Sequence, residues 1–226
     1  MIINEIFYSL QGEGFFAGVP SVFIRLSGCP LRCRWCDTKY AWDKTAGTTY
    51  SIAKIVKAVQ KWLCRFVVIT GGEPMINLDL PKLVQELKAK GKHVTVETAG
   101  IVYMPDMSCD LISISPKLSN STPEDEKLAA AHEDSRLDIA VLRELIDNYE
   151  YQLKFVVDSQ DDMPEIQQTI KKLGKVDPEK VMLMPQAATR DELLTKSPMV
   201  AEMCKSTSFA FCQRLQVLLW DNERGN

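Results

Sequence analysis

The sequence lacks the features of a membrane or secreted protein. No apolar run approaches the roughly 18 to 20 residues of a membrane-spanning helix, and residues 1–5 lack the basic start and apolar core of a signal peptide. The 27 basic residues nearly balance the 30 acidic ones, and no block of one charge is long enough to form a tail. We therefore expect a cytoplasmic protein that binds no membrane and, through bulk charge, no nucleic acid.

Complete disulfide pairing is also excluded, because the chain has seven cysteines, an odd number. A chain of 226 residues can bury enough core without disulfides. Histidine is scarce as well: His93 and His132 are the only two, and neither stands at metal-ligand spacing. Four cysteines dispersed through apolar or mixed surroundings are expected to be small buried hydrophobes: Cys64, Cys109, Cys204 and Cys212.

Short apolar runs alternate with amphipathic stretches along the chain, and there is no internal repeat or low-complexity tract. The pattern predicts a first strand over 21–26 and further strands over 66–70, 93–97, 111–115, 151–157 and 181–184. Helices are predicted over 49–63, 80–90, 137–148 and 163–173. The remaining stretches are predicted to be an irregular crossover over 97–111, a mobile loop over 119–136 and a closing strand over 214–220.

This alternation is typical of a single parallel α/β domain, here spanning 1–226. A full eight-fold barrel usually needs about 250 residues, so the pattern leaves an open sheet and a partial barrel as alternatives. In either architecture the loops that follow the strands meet at one edge of the sheet. We expect the functional site at that edge.

The loop after the first predicted strand contains three cysteines, Cys29, Cys33 and Cys36, at the spacing CxxxCxxC. Three thiolates at this spacing can surround one metal centre. Structural zinc would need a fourth ligand, and a simple electron-carrying cluster normally has four cysteines. On a four-iron cluster, three thiolates would leave one iron open to an outside ligand, which is an arrangement for chemistry.

This motif resembles the signature of the radical S-adenosylmethionine (SAM) enzymes, whose fold is a partial (βα)6 barrel. A second motif supports the resemblance: 70–74 reads TGGEP after the next predicted strand, like the GGEP turn of that family. The resemblance implies a 4Fe-4S cluster on Cys29, Cys33 and Cys36. It further implies that SAM chelates the open iron and is cleaved reductively to a 5′-deoxyadenosyl radical.

The resemblance is closest to members that convert a carboxylated tetrahydropterin into a deazaguanine with loss of ammonia. Six further motifs occur in the same order: LQGEG at 10–14, VFIRL with GCP at 22–30, CDT at 36–38, ETAG at 97–100, SPK at 115–117 and MPQA at 184–187. This likeness implies a carbon–nitrogen lyase that needs Mg²⁺, forms a homodimer and accepts electrons from a donor such as flavodoxin or ferredoxin.

The same resemblance assigns site residues. Arg25 lies on the opposite face of its strand from Val22, Ile24 and Leu26, so it should point into the barrel, where a guanidinium can hold the pterin carboxylate bidentately. Thr38 corresponds to a Mg²⁺ ligand. The implied substrate contacts are Leu10, Gln11, Gly12, Glu13, Arg25 and Thr70. The implied SAM contacts are Trp35, Cys36, Asp37, Gly72, Glu73, Ser115, Pro116, Lys117, Met184, Pro185, Gln186 and Ala187.

One position departs from the family pattern. Gln216 stands where members often have a histidine that touches the substrate, and a neutral amide cannot titrate near neutral pH. Two alternatives stay open. A glycyl-radical-enzyme activase shares the short barrel and CxxxCxxC but acts on another protein. A binding module could instead use the three cysteines in a structural zinc site.

Overall fold

A computed structural model describes residues 1–221 and 223 of the chain. Within this described part, one sheet contains nine strands: β1 (Ile2–Leu10), β2 (Pro20–Leu26), β3 (Thr48–Thr49), β4 (Phe66–Gly71), β5 (His93–Thr98), β6 (Leu111–Ile114), β7 (Tyr151–Val157), β8 (Val181–Pro185) and β9 (Ala210–Phe211). Their order is β3-β1-β2-β4-β5-β6-β7-β8-β9. All neighbours from β2 to β9 run parallel, whereas β1 runs antiparallel to β2 and β3.

In the same described residues, seven α-helices accompany the sheet: α1 (Ile52–Val59), α2 (Leu80–Ala89), α3 (Glu126–Ser135), α4 (Ile139–Asn148), α5 (Met163–Leu173), α6 (Arg190–Thr207) and α7 (Leu215–Trp220). The six longer parallel strands, β2 and β4 to β8, lie side by side in chain order with crossovers between them, and the sheet is not closed between β3 and β9. Of the two architectures that the sequence pattern allowed, the structure is therefore the partial (βα)6 barrel. Within residues 1–221 and 223, no helix is both long and apolar enough to cross a membrane.

The two faces of the parallel strands differ in chemistry, because side chains alternate across a strand. On β7, Leu153 and Phe155 belong to the main hydrophobic core, whereas Lys154 between them faces the opposite side. On β2, Ile24 packs in the core and Arg25 faces inward. The helix-facing side is therefore a continuous apolar layer, and the inner face carries the polar side chains.

The N-terminal strand was not predicted, so the expected first strand is the second in the chain. β1 pairs antiparallel with β2, with Phe7 opposite Phe23 and their rings stacked at 5.0 Å. A short strand at Thr48–Thr49 covers the other edge of β1. The predicted helix over 49–63 consequently begins later, at Ile52, where Ser51 caps it, and it ends at Val59. Leu63, the last residue of the predicted helix, lies outside α1 and is fully exposed.

Two predictions on the second half of the chain are wrong. The predicted loop over 119–136 contains α3, whose N-cap Asp125 accepts hydrogen bonds from the backbone of Lys127 and Leu128. Its buried residue is His132, bonded to Ser121 at 2.9 Å, so the helix has no apolar stripe to reveal it. The segment over 214–220 is a helix rather than a closing strand, because a short apolar run does not by itself distinguish the two.

The closing strand is instead the short β9, which follows the unpredicted helix α6 and pairs with β8. The predicted irregular crossover over 97–111 is confirmed: throughout this stretch, which is fully described, no helix forms. Its two buried methionines are tied to Tyr149, whose hydroxyl donates to the Met104 carbonyl at 2.5 Å and accepts from the Met107 N–H at 3.3 Å.

Candidate active site

A cavity of about 590 Å³ opens at the carboxyl edge of the sheet. Every site residue predicted above lines it except Glu73, Pro116 and Pro185. Most of these residues follow β2, β4, β6 and β8, since parallel strands bring their carboxyl ends to one edge. The substrate-side residues 10–13 arrive by another route, at the end of the antiparallel β1.

The three cysteines of the CxxxCxxC motif all line this cavity. Their loop is anchored by hydrogen bonds to backbone carbonyls: the Gly28 N–H donates to the Ala41 carbonyl at 2.8 Å, and the Arg32 side chain donates through Nη1 to the Cys29 carbonyl at 2.7 Å. Burial raises the pKa of all three thiols, that of Cys29 to about 12. A metal centre that takes up Cys29, Cys33 and Cys36 as thiolates must therefore displace their protons.

This donor set fits a cluster better than a single ion. Among the residues that the structure describes, no three His, Cys, Asp or Glu side chains converge on one ion position. A four-iron cluster takes each thiolate on a different iron, so it does not require the three sulfurs to meet at one point. Cys29, Cys33 and Cys36 would hold three corners of such a cluster at the wall of the cavity.

The turn after β4 brings backbone, rather than side chain, close to the cysteine loop. The Gly72 N–H donates to the Leu26 carbonyl at 3.0 Å, and the Glu73 N–H donates to the Gly28 carbonyl at 2.8 Å. A Cβ at Gly72 would overlap the Gly28 carbonyl, so this approach requires glycine. The GGEP turn thus forms one wall of the cavity and packs on the start of the cysteine loop.

Glu73, predicted to contact SAM, does not itself line the cavity. It is 1% exposed and lies beneath the cavity wall. Its carboxylate accepts from the Met75 N–H at 3.0 Å, the Thr98 hydroxyl at 2.8 Å and the Ala99 N–H at 2.8 Å. Burial raises the pKa of Glu73, and these three donors oppose that effect. In this structure the carboxylate joins the GGEP turn to the end of β5.

Residues 10–13 form the opposite wall. Gln11 Nε2 donates to Glu97 Oε1 at 3.0 Å, and the Gln11 carboxamide oxygen accepts from the Glu13 N–H at 3.2 Å. Glu13 Oε2 pairs with Lys154 Nζ at 2.7 Å, and Glu13 Oε1 accepts from Arg214 Nε at 3.2 Å. Burial alone would raise the pKa of Glu13, but the charges of Lys154 and Arg214 hold it well below its usual range.

Arg25 faces the cavity as its strand position predicted. Its Nε contacts Glu5 Oε1 at 2.6 Å, and its guanidinium lies over the rings of Phe7 and Tyr40 at 5.7 and 5.8 Å. The Glu5 contact uses one of the five guanidinium N–H donors. The planar fork of the others is suited to a carboxylate ligand.

On the cluster side, Lys117 Nζ donates to the Ser115 carbonyl and hydroxyl at 2.8 Å each and lies 5.7 Å from the centre of the Trp35 ring. Thr38 Oγ1 donates to Asp37 Oδ1 at 2.8 Å, which holds the CDT motif in place. Asp37 Oδ2 is in turn bound by Arg214 Nη2. A positively charged ammonium, a stacked aromatic ring and a carboxylate therefore border the cysteines.

Several cavity residues received no role from the sequence. The additional lining residues include Phe7, Phe23, Tyr40, Trp42, Glu97, Thr98, Ser113, Lys154, Val156, Arg214 and Val217. Lys154 had a usable signal, because a charged residue inside the apolar run YQLKFVV must face away from the core. Arg214 had none: it enters the cavity from the segment misinterpreted as a strand, far along the chain from its partners.

Comparison with known proteins identifies the family of the chain. The Radical SAM superfamily model matches residues 23–122. The 7-carboxy-7-deazaguanine synthase of Rhodopirellula baltica is 43% identical and aligns over 100% of this chain and 88% of its own length, and that of Halobacterium salinarum is 42% identical over 97% and 90%. The crystal structure of QueE from Escherichia coli matches with a TM-score of 0.73 and 28% identity, covering 93% of this chain and 92% of that one. The chain belongs to the 7-carboxy-7-deazaguanine synthase family within the radical SAM superfamily.

Proposed function

We propose that this protein is a carbon–nitrogen lyase that converts 6-carboxy-5,6,7,8-tetrahydropterin to 7-carboxy-7-deazaguanine with release of ammonia, a reaction of queuosine and 7-deazapurine biosynthesis. One observation carries the proposal beyond family membership. A single cavity borders both the three-cysteine loop and an inward guanidinium, Arg25, with carboxylate acceptors at Glu13 and Glu97. This is the combination that a radical centre and a carboxylated, N–H-rich heterocycle require.

A cluster held by Cys29, Cys33 and Cys36, together with bound SAM, would supply the radical chemistry for hydrogen-atom abstraction at C6 of the pterin. The chain itself binds and orients the substrate and excludes water from it. Arg25 takes the substrate carboxylate through its guanidinium fork. Glu13 and Gln11 accept and donate hydrogen bonds at the polar edge of the ring, while Thr70, paired in register with Arg25, lies beside that carboxylate.

The remaining assigned residues are proposed to hold SAM. Asp37 and Trp35 flank the cysteines, and Lys117 is placed to meet the SAM carboxylate or ribose. The backbone of Gly72 lies at the cavity wall, where a ligand amine can approach it closely. Met184, near the end of β8, and Gln186 and Ala187, which follow the strand, are proposed to shape the adenine pocket.

We also propose a Mg²⁺ requirement, with Thr38 as the protein ligand. Mg²⁺ keeps much of its coordination for water and substrate oxygens, so one hydroxyl can suffice when substrate completes the shell. The ion would act on the substrate oxygens as template and Lewis acid. Thr38→Val should raise the Mg²⁺ concentration needed for half-maximal turnover. Thr45→Val is the matched control, because Thr45 also donates to an aspartate at 2.8 Å but lies outside the cavity.

The proposed partners are a flavodoxin or ferredoxin that delivers the electron and a second copy of the chain in a homodimer. We propose that the single domain 1–226 acts in the cytoplasm. All seven cysteines are free thiols, and a reducing compartment keeps both these thiols and an exposed cluster intact. Sedimentation of the purified protein tests the dimer, and reduction assays with each donor test the electron source.

The decisive experiment is anaerobic reconstitution followed by incubation with 6-carboxytetrahydropterin, SAM, Mg²⁺ and a reductant. We expect 7-carboxy-7-deazaguanine and ammonia in equal amounts. Cys33→Ala should abolish both products, whereas Cys109→Ala, which removes a thiol outside the cavity, should not. An activase would form no deazaguanine, and a structural zinc protein would bind zinc without iron or sulfide.

A further inference from the structure

Lys154 is a buried lysine in the middle of the inner face of the sheet. Its side chain is 5% exposed, and its Nζ lies 2.7 Å from Glu13 Oε2, across 141 residues of sequence. The neighbouring positions on β7, Leu153 and Phe155, are core residues, so the strand itself fixes where the ammonium points. Burying a lysine costs free energy unless its charge is paired. We therefore look for the role of Lys154 in its ion pair rather than in packing.

The partner, Glu13, retains capacity for a ligand. An ionised carboxylate has about four lone-pair sites. Glu13 Oε1 accepts from Arg214 Nε at 3.2 Å and Gln216 Nε2 at 2.8 Å, whereas Oε2 accepts from Lys154 alone among the hydrogen bonds of the described residues. Glu13 also lines the cavity. One acceptor site on Oε2 therefore remains for an N–H group that enters from the cavity.

We propose that Lys154 is a positioning residue that keeps Glu13 ionised and oriented, so that Glu13 Oε2 accepts a hydrogen bond from the N–H-bearing edge of the pterin. This role rests on the proposed function, because it assumes a substrate with such an edge. A protonated Glu13 would present a donor to a donor and would repel that edge. Lys154 thereby sets substrate affinity rather than the chemical step.

The charges around Glu13 indicate that Lys154, rather than Arg214, keeps it ionised. Arg214 lies on the other oxygen of Glu13 but is shared with Asp37 and with the Ala187 carbonyl. The remaining titratable groups near the pair are Glu97, which is close to Lys154, and the Cys212 thiol, whose Sγ accepts from the Gly14 N–H at 3.2 Å. Because Asp37 disfavours a second negative charge beside it and also takes part of Arg214, Lys154 is the cation that keeps Glu13 ionised.

The test is a double-mutant cycle on the reconstituted holoenzyme with SAM bound. The variants are Lys154→Met, Glu13→Gln and both together, with Lys88→Met as the control because Lys88 pairs with Asp110 outside the cavity. Calorimetry with 6-carboxypterin, a stable analogue of the proposed substrate, gives Kd at pH 8 and pH 6 without turnover. Turnover of the reduced substrate is measured separately.

We expect Lys154→Met to raise Kd about tenfold or more at pH 8, relative to wild type, and to raise this ratio further at pH 6. The direction follows because loss of the ammonium moves the protonation of Glu13 to higher pH. Glu13→Gln should raise Kd by a similar factor at both pH values. The double variant should bind no more weakly than Glu13→Gln alone, since Lys154 acts through Glu13.

Additive losses in the cycle, or a Lys154→Met effect with no extra pH dependence, would overturn the proposal. If Lys154→Met fails to fold, the comparison of Glu13→Gln with the double variant decides the question, because both lack the buried carboxylate charge. Wild-type enzyme that binds the pterin but forms no deazaguanine would contradict the proposed reaction and leave this role standing. Wild-type enzyme that binds no pterin would contradict both.

Discussion

Thr98 Oγ1 donates a hydrogen bond of 2.8 Å to Glu73 Oε1, which ties the turn after β4 to the end of β5 beneath the cavity wall. With the Met75 and Ala99 N–H groups, Glu73 has three protein donors. Glutamine keeps the shape of the side chain but replaces one acceptor oxygen by a donor. The turn that carries Gly72 is thus held from below by a residue that the motif alone assigned to the ligand.

Glu73→Gln should destabilise the protein by about 1–3 kcal/mol, because a buried N–H or hydroxyl loses its acceptor. Urea unfolding of the cluster-free chain measures this. The control is Glu86→Gln on the exposed side of α2, for which we expect a change below about 0.5 kcal/mol. Equal stabilities of the two variants would refute the buttressing role of Glu73.

Gly72→Ala should prevent proper assembly of the cluster loop. A methyl group would overlap the Gly28 carbonyl and lie 2.9 Å from that of Ala41, and neither backbone can yield easily. We expect a loss of about 1–3 kcal/mol in stability, with reduced iron and sulfide content after reconstitution. Gly91→Ala is the comparison: Gly91 has φ +73° but nothing within 4 Å, so only the left-handed strain applies. Iron content equal to wild type in Gly72→Ala would contradict this account.

Arg214→Met should weaken the binding of both SAM and pterin. Arg214 joins three walls of the cavity through Glu13, Asp37 and the Ala187 carbonyl, so its loss removes the contact that these walls share. Separate titrations with SAM and with 6-carboxypterin test this.

Arg143→Met serves as the control for that variant, because Arg143 donates to the Lys172 carbonyl at the surface. A further readout is the ratio of 5′-deoxyadenosine to deazaguanine. We expect this ratio to rise in Arg214→Met. Without Arg214, residues 10–13 hold the substrate less firmly, so SAM can be cleaved without formation of deazaguanine. If affinity falls for only one of the two ligands, the joint role of Arg214 is wrong.

Asp110→Asn should change the acid stability of the sheet. Asp110 Oδ2 accepts from the Val94 N–H at 2.7 Å, and Oδ1 pairs with Lys88. Burial raises the pKa of Asp110, but these contacts outweigh it and the net pKa is lowered. The stabilisation is therefore present above the unfolded value of about 3.9 and is lost as pH falls through the lower folded value.

The expected loss for Asp110→Asn at pH 7 is about 1 kcal/mol or less, because the pair is partly exposed. Urea unfolding of wild type and variant at pH 7, 5 and 3 gives the difference in stability. That difference should shrink towards pH 3. A difference that stays constant over this range would show that the charge of Asp110 is not responsible.

Sequence and structure agree most closely where the signal is local. We could predict the strand over 66–70 and the helix over 163–173, because each depends on residues a few positions apart. The helix α3 could not be predicted, since its one buried side chain is a histidine. The misinterpreted segment 214–220 is a second case. Its seven residues of mixed burial fit either periodicity, and contact with the cavity and α6 selects the helix.

The amino-acid sequence by itself determined the chemistry of this protein: three thiolates at a fixed spacing, a glycine turn after the next strand and an arginine on the inner face of β2. Only the tertiary structure decided which charges meet, because Glu13 reaches Lys154 and Arg214 across 141 and 201 residues. It also gave the Glu73 carboxylate its protein donors, the Met75 and Ala99 N–H groups and the Thr98 hydroxyl. The physical reason is that the alternation of side chains along a strand, which is local, decides the face on which each side chain lies. Which side chains then meet across that face depends on how the whole sheet curves.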